Sequence, residues 1–120
     1  MSEVRIVVVD DNQDAAATIA ELLRMNGYVV QTCFDGEEAL VLVRNFEPHA
    51  VVLDCMMPGL SGFELATRLR QSHGDDVVLI AVTGLDEKAF GVGQTFQVVD
   101  HHLNKPIDFA KLTKVLPKVG

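Results

Sequence analysis

Apolar and polar positions along this chain follow two periods in turn, and the alternation between them predicts the fold. Arg5-Ile6-Val7-Val8-Val9 is β-branched and apolar almost without a break, the mark of a strand buried on both faces. Asp10-Asp11-Asn12 follows and offers side-chain caps to a helix over Asp14 to Met25. In that segment Ala16, Ile19, Ala20 and Leu23 recur at i, i+3, i+4 and i+7, one core-facing stripe. Asn26-Gly27 closes it, because glycine readily takes the left-handed conformation past a last helical turn.

The same unit repeats. Tyr28 to Phe34 reads as a second strand. Asp35 and Glu38 have capping-box spacing for a helix through Ala39, Leu40, Leu42 and Val43 toward Phe46, which Pro48 blocks. Ala50 to Leu53 is a third strand, and Pro58-Gly59 and Gly62 mark a loop before a helix from Phe63 to Gln71. Val77 to Val82 is a fourth strand. A helix over Asp86 to Phe96 is expected to be short or irregular, since Gly91 and Gly93 each cost about 1 kcal/mol against alanine. His101 to Asn104 is the fifth strand, ended by Pro106, and Asp108 can cap a last helix containing Phe109, Leu112, Val115 and Leu116. Strands alternating with helices imply an α/β fold, a doubly wound parallel sheet with right-handed crossovers and five helices. At 120 residues the chain fits one domain, 1–120.

Composition narrows the function classes. Ten Lys and Arg against seventeen Asp and Glu give a net charge of −7, which disfavours direct nucleic-acid binding. No apolar run approaches the roughly 20 residues that span a bilayer, and no secretory signal is legible at the N-terminus. The expectation is a cytoplasmic protein with no membrane partner. Cys33 and Cys55 lack metal-ligand spacing and read as reduced thiols in or beside strands.

In doubly wound folds chemistry sits outside the carboxyl ends of the strands. There the first strand delivers Asp10 and Asp11, the third Asp54, the fourth Thr83 and the fifth Lys105. Singly, each has a bland reading as cap, turn, strand end or surface charge. Together they make a polar cluster with a chemical problem. Two like charges about 4 Å apart repel by roughly 4 kcal/mol at an effective dielectric near 20. Three carboxylates therefore need cations or protons. Lys105 is one cation, and Mg²⁺, which favours one or two carboxylates plus water and a phosphate oxygen, suits the rest. A carboxylate beside such an ion can attack a phosphoryl group, with Lys105, the Thr83 hydroxyl and backbone N–H groups stabilising the transferring oxygens. Gly84 leaves room for that group, and Pro106 fixes the backbone that aims Lys105, with either peptide isomer open.

These residues resemble the receiver family of two-component signalling over essentially the whole chain. The carriers are Val7-Val8-Val9-Asp10-Asp11-Asn12, Leu53-Asp54-Cys55-Met56-Met57-Pro58-Gly59, Ala81-Val82-Thr83-Gly84 and Lys105-Pro106-Ile107. The resemblance implies a flavodoxin-like strand order, 2-1-3-4-5. It implies that Asp54 is the phosphoacceptor and that Asp11, Asp54 and the Met56 backbone carbonyl bind Mg²⁺, with Asp10 acting through a water. Thr83 and Lys105 would contact the phosphoryl group, donated by a histidine kinase or histidine phosphotransfer protein. The wording from Asp100 to Pro106 is similar to receivers of hybrid histidine kinases. The output would be a changed surface formed by the fourth helix, fifth strand and last helix, presented to a downstream target. No output segment follows Lys118, so either a stand-alone receiver or one cut from a longer protein is expected.

The chain also departs from the family pattern. His102 stands where the family usually has Tyr or Phe. It is either a half-exposed strand histidine or a switch that turns inward as Thr83 moves, which would add pH sensitivity because an imidazole titrates near 6.5. Many relatives have a glycine near Val98, before the fifth strand. Met56 and Leu85 cannot orient an attacking water, so slow self-dephosphorylation is expected. Ala15 and Leu22 lie outside the core stripe and are candidates for a kinase-facing surface, though ordinary exposure accounts for them as well. Three rival readings remain: a small aspartyl-phosphate phosphohydrolase, a receiver-like interaction module that is never phosphorylated, and an FMN carrier. Against them stand the missing cap domain and second acid, the retained acid–lysine set, and the absence of a Ser/Thr/Gly-rich phosphate loop. The expected protein is not an enzyme.

Overall fold

A computed structural model of the chain describes residues 3–54, 62–84 and 98–118. Five strands form one parallel sheet: β1 (Arg5–Val9), β2 (Val29–Cys33), β3 (Ala50–Asp54), β4 (Val78–Thr83) and β5 (His101–Asn104). Their order is β2-β1-β3-β4-β5, the expected one. Among the described residues there are four helices: α1 (Gln13–Met25), α2 (Gly36–Phe46), α3 (Gly62–His73) and α4 (Phe109–Val115). The helix expected over 86–96, with Leu85, Gly91 and Gly93, lies outside the described residues, as do Cys55 and Met56. No described helix is long and apolar enough to cross a membrane.

Strand residues point alternately to the two faces, and the apolar residues divide accordingly. Ile6, Val8, Val52, Ile80 and Val82 pack with Ala16, Ala20 and Leu23 of α1 and Leu112 of α4. Val7, Val9, Val51, Leu53 and Leu79 pack with Ala39 and Val43 of α2 and Leu65, Ala66 and Leu69 of α3. A strand that must serve both faces reads as an unbroken apolar run, which is why β1, β3 and β4 were legible.

The helix ends follow their sequence signals with local changes. Asn12 caps α1 by accepting from the Ala15 N–H at 3.1 Å, while Asp10 accepts from the Asn12 N–H at 2.9 Å. Of the three residues expected to offer caps, Asn12 caps the helix and Asp10 braces Asn12. Asp35 caps α2 through the Glu38 N–H at 2.8 Å, but Glu38 reaches back to the Phe34 N–H at 3.2 Å, one residue before the cap. Asp108 accepts from the N–H groups of Ala110 and Lys111 at the start of α4, as expected.

Candidate functional site

Strand register decides which carboxyl-end residues meet. Val9 of β1 pairs with Leu53 of β3, so Asp10 arrives beside Asp54 one step further on. Asp54 pairs with Val82 of β4, and Thr83 pairs with Asn104 of β5, placing Thr83 and Lys105 at the same edge. The Lys105 N–H donates to the Thr83 carbonyl at 2.8 Å, extending the ladder to the residue whose side chain matters.

The side chains converge. Asp10, Asp54 and Thr83 are 4%, 5% and 0% exposed, whereas Asp11 is open to solvent. One oxygen from each of Asp10, Asp11 and Asp54 lies within 4.8 Å of the others. The Lys105 Nζ stands 3.4 Å from Asp54 Oδ2 and 4.0 Å from Asp10 Oδ2. Its ammonium therefore sides with Asp54, and the contact with Asp10 is the weaker one. Burial pushes the Asp10 carboxyl above its ordinary range. The Asn12 N–H and the Lys105 charge work against that rise, while the charges of Asp54 and Asp11 add to it. Three acids with one lysine leave negative charge in excess, in a partly buried oxygen-rich cluster. That donor set fits a hard divalent cation such as Mg²⁺.

The sequence-predicted residues Asp10, Asp11, Asp54, Thr83 and Lys105 are thus brought together. His102 stands exposed on β5, paired with Ala81 of β4. Met56 lies outside the described residues. Among the described residues, a Cβ at Gly84 would meet the Lys105 stem at 3.8 and 3.9 Å, an ordinary contact. The Lys105–Pro106 peptide bond is cis.

Two features were not foreseen. A groove of about 420 Å³ opens from Asp10 and Lys105 between α1 and α4, walled by Ala15, Ile19, Leu22, Ile107 and Phe109. Ala15 and Leu22, singled out in the sequence, both line it. The groove as such was illegible because its walls come from the two ends of the chain. The second is a polar junction at the opposite end of the sheet, where Arg5 N–H donates to His49 Nδ1 at 3.0 Å and His49 N–H donates to the Arg5 carbonyl at 2.8 Å.

Comparison with known proteins identifies the family. The family model for the response regulator receiver domain matches residues 6–117. The response regulator MprA of Mycobacterium sp. (strain KMS) is 41% identical over 109 residues, covering 91% of this chain and 47% of the relative. That of Mycolicibacterium vanbaalenii is 40% identical over the same share. The chain spans about half the length of these curated relatives. Among solved structures, a CheY-like receiver domain from Methylobacillus flagellatus superposes with a TM-score of 0.85 at 31% identity, covering 95% of this chain and 96% of that one. The response regulator TrrA of Thermotoga maritima, solved in complex with Mg(2+)-BeF, gives 0.83 at 31% identity, covering 92% and 94%. With family, fold and the acid–lysine edge in agreement, this chain belongs to the response regulator receiver domains of two-component signalling.

Proposed function

We propose that Asp54 accepts a phosphoryl group from the phosphohistidine of a histidine kinase or histidine phosphotransfer protein. The observation that carries this is the 3.4 Å approach of the Lys105 ammonium to Asp54 Oδ2 inside the three-carboxylate cluster. An Asp54 oxygen attacks phosphorus, the phosphorus–nitrogen bond breaks, and the imidazole leaves with the bonding pair. Lys105 would balance the incoming charge, and the Thr83 hydroxyl would donate to a phosphoryl oxygen. Asp11, Asp54 and Asp10, the last through a water, would hold Mg²⁺, with the Met56 carbonyl as a further ligand outside the described residues. Bound there, the ion neutralises phosphoryl oxygens as charge builds on them. Receiver domains are generally signalling modules and not enzymes, and the cytoplasm is the compartment this role requires.

The groove between α1 and α4 suits the donor protein, because it is apolar, solvent-open and leads directly to Asp10 and Lys105. Phosphorylation then adds about two negative charges beside Lys105 and Thr83. These favour an arrangement with Thr83 drawn toward the phosphoryl group and His102 turned inward, changing the surface around β5 and α4 for a target. Met56 and Leu85 would leave the acyl phosphate long-lived, since neither can orient a water.

Intact mass after incubation with acetyl phosphate tests the reading. Wild type is expected to gain one phosphoryl group only with Mg²⁺, and Asp54→Asn none. An adduct that survives in Asp54→Asn, or forms equally without Mg²⁺, refutes the assignment.

A further inference from the structure

β5 is a short edge strand, four residues long, and only Leu103 among them is even half-buried. Hydrophobic patterning therefore specifies its register weakly, and a slip of one residue would turn every side chain to the other face. Lys105 follows directly on this strand, so its reach to Asp54 depends on a register in which Leu103 is the one strand side chain packed on the core, with Val98, Val99 and Ile107 packing on either side of the strand.

Polar contacts secure it at the opposite end. The regular β4–β5 ladder begins at Ile80 and His101. Just before it, Asp100 N–H donates to the Leu79 carbonyl at 2.9 Å, and Asp100 Oδ2 accepts from the Leu79 N–H at 2.8 Å. The carboxylate stands in for the next backbone carbonyl of a strand that has not yet begun. Arg70, near the end of α3, holds that carboxylate from behind, with Nη2 to Asp100 Oδ2 at 2.8 Å. The same guanidinium donates to the Val98 carbonyl at 3.1 and 3.2 Å, to Gly74 at 2.7 Å and to Val77 at 3.2 Å. One side chain thus joins the end of α3, the approach to β4 and the approach to β5. Burial alone would raise the Asp100 carboxyl, but the Leu79 N–H and Arg70 outweigh it and hold it below the ordinary range.

We propose that Arg70 and Asp100 are positioning residues for Lys105: they pin the start of β5 so that the lysine at its far end reaches the phosphoacceptor. The proposal rests on the phosphoacceptor reading of Asp54, and it assigns to α3 a part in setting the chemistry of a strand that it does not adjoin in the chain.

Asp100→Ala, Asp100→Asn and Arg70→Lys are compared with wild type in the intact chain, after thermal melts establish that each folds. Three quantities are read: the phosphorylation rate at saturating acetyl phosphate and Mg²⁺, the Mg²⁺ affinity, and the backbone amide shifts of Lys105 and Thr83. Asp100→Ala is expected to slow the rate by roughly ten- to a hundredfold, the usual effect of a small misplacement of a reacting group. Its Mg²⁺ affinity should stay within about twofold, because Asp10 and Asp11 follow β1 and Asp54 ends β3, away from the Asp100 contact. The Lys105 amide should shift. Asp100→Asn keeps an oxygen for the Leu79 N–H and should recover most of the rate, and Arg70→Lys, a point charge in place of a fork, should fall between. A wild-type rate with unmoved amides in Asp100→Ala overturns the proposal. So does a parallel loss of rate and Mg²⁺ affinity that Asn rescues no better than Ala, which would mark a purely structural contact. Wild type that takes no phosphoryl group would instead refute the phosphoacceptor reading, while the amide shifts still decide the pin.

Discussion

Asp10 illustrates how one residue can be costly to the fold and useful to the site. Burial raises its carboxyl, so the folded protein keeps a proton that the unfolded chain has released. That proton-linked stability is fully present below the ordinary aspartate value, about 3.9, and is lost as pH rises through the raised folded value. At neutral pH without Mg²⁺, Asp10→Asn should therefore stabilise the protein, by about 0.5–2 kcal/mol, while weakening its response to Mg²⁺. Thermal unfolding at pH 7 with and without the ion checks both; a variant less stable than wild type without Mg²⁺ contradicts the account. Cys33 is a simpler case. It is buried in the core between the sheet and α2, and burial, with Glu38 and Asp35 nearby, pushes its thiol up to about 12. The native protein should leave Cys33 unalkylated by iodoacetamide at neutral pH, and denaturant should release it, as peptide mass mapping will show. Both roles were half legible: the residue types were visible, but burial, which sets their protonation, was not.

Elements here are held at their ends as much as along their faces. Glu47 ends α2 in the left-handed region, at φ 53°, a conformation with a cost for any side chain but glycine. Arg5 of β1 offsets that cost by donating to the carbonyls of Phe46 and Glu47. Pro48 predicted where the helix stops, but not that a strand 41 residues away would cap it. The open edge of the sheet is managed in a similar way. Val29 N–H bonds to β1, so Val30 turns its backbone outward along β2, and Arg24 of α1 donates to the Val30 carbonyl at 2.8 Å. Arg24→Ala should bare this acceptor and raise self-association through the β2 edge. Sedimentation velocity across a concentration series is the measurement, and a variant that stays as monodisperse as wild type would count against edge protection. The capping signals at Asp35 and Asp108 were readable because a cap is a local bond, made within about four residues. The Arg5 and Arg24 bonds were not, because their acceptors depend on how elements pack.

On the scale of the whole molecule, one sheet serves two apolar layers, and stability is shared between them. Leu23 is fully buried in the layer of α1 and α4, while Met25, two residues on, is 81% exposed. Leu23→Ala should cost about 2–5 kcal/mol in denaturant unfolding, and Met25→Ala less than about 0.5 kcal/mol. Equal effects would mean that the two-layer packing is misassigned. The sequence by itself determined the alternation of strands and helices, the parallel sheet, the helix caps and the set Asp10, Asp11, Asp54, Thr83 and Lys105. Each of these follows from local periodicity or from the rule that strand carboxyl ends share one edge. Only the tertiary structure decided the distances within that set, the preference of Lys105 for Asp54 over Asp10, the groove between α1 and α4, and the Arg70–Asp100 pin under β5. Those depend on strand register and on contacts between residues far apart in the chain. Register and packing come from the summed burial of many side chains, which no local pattern encodes.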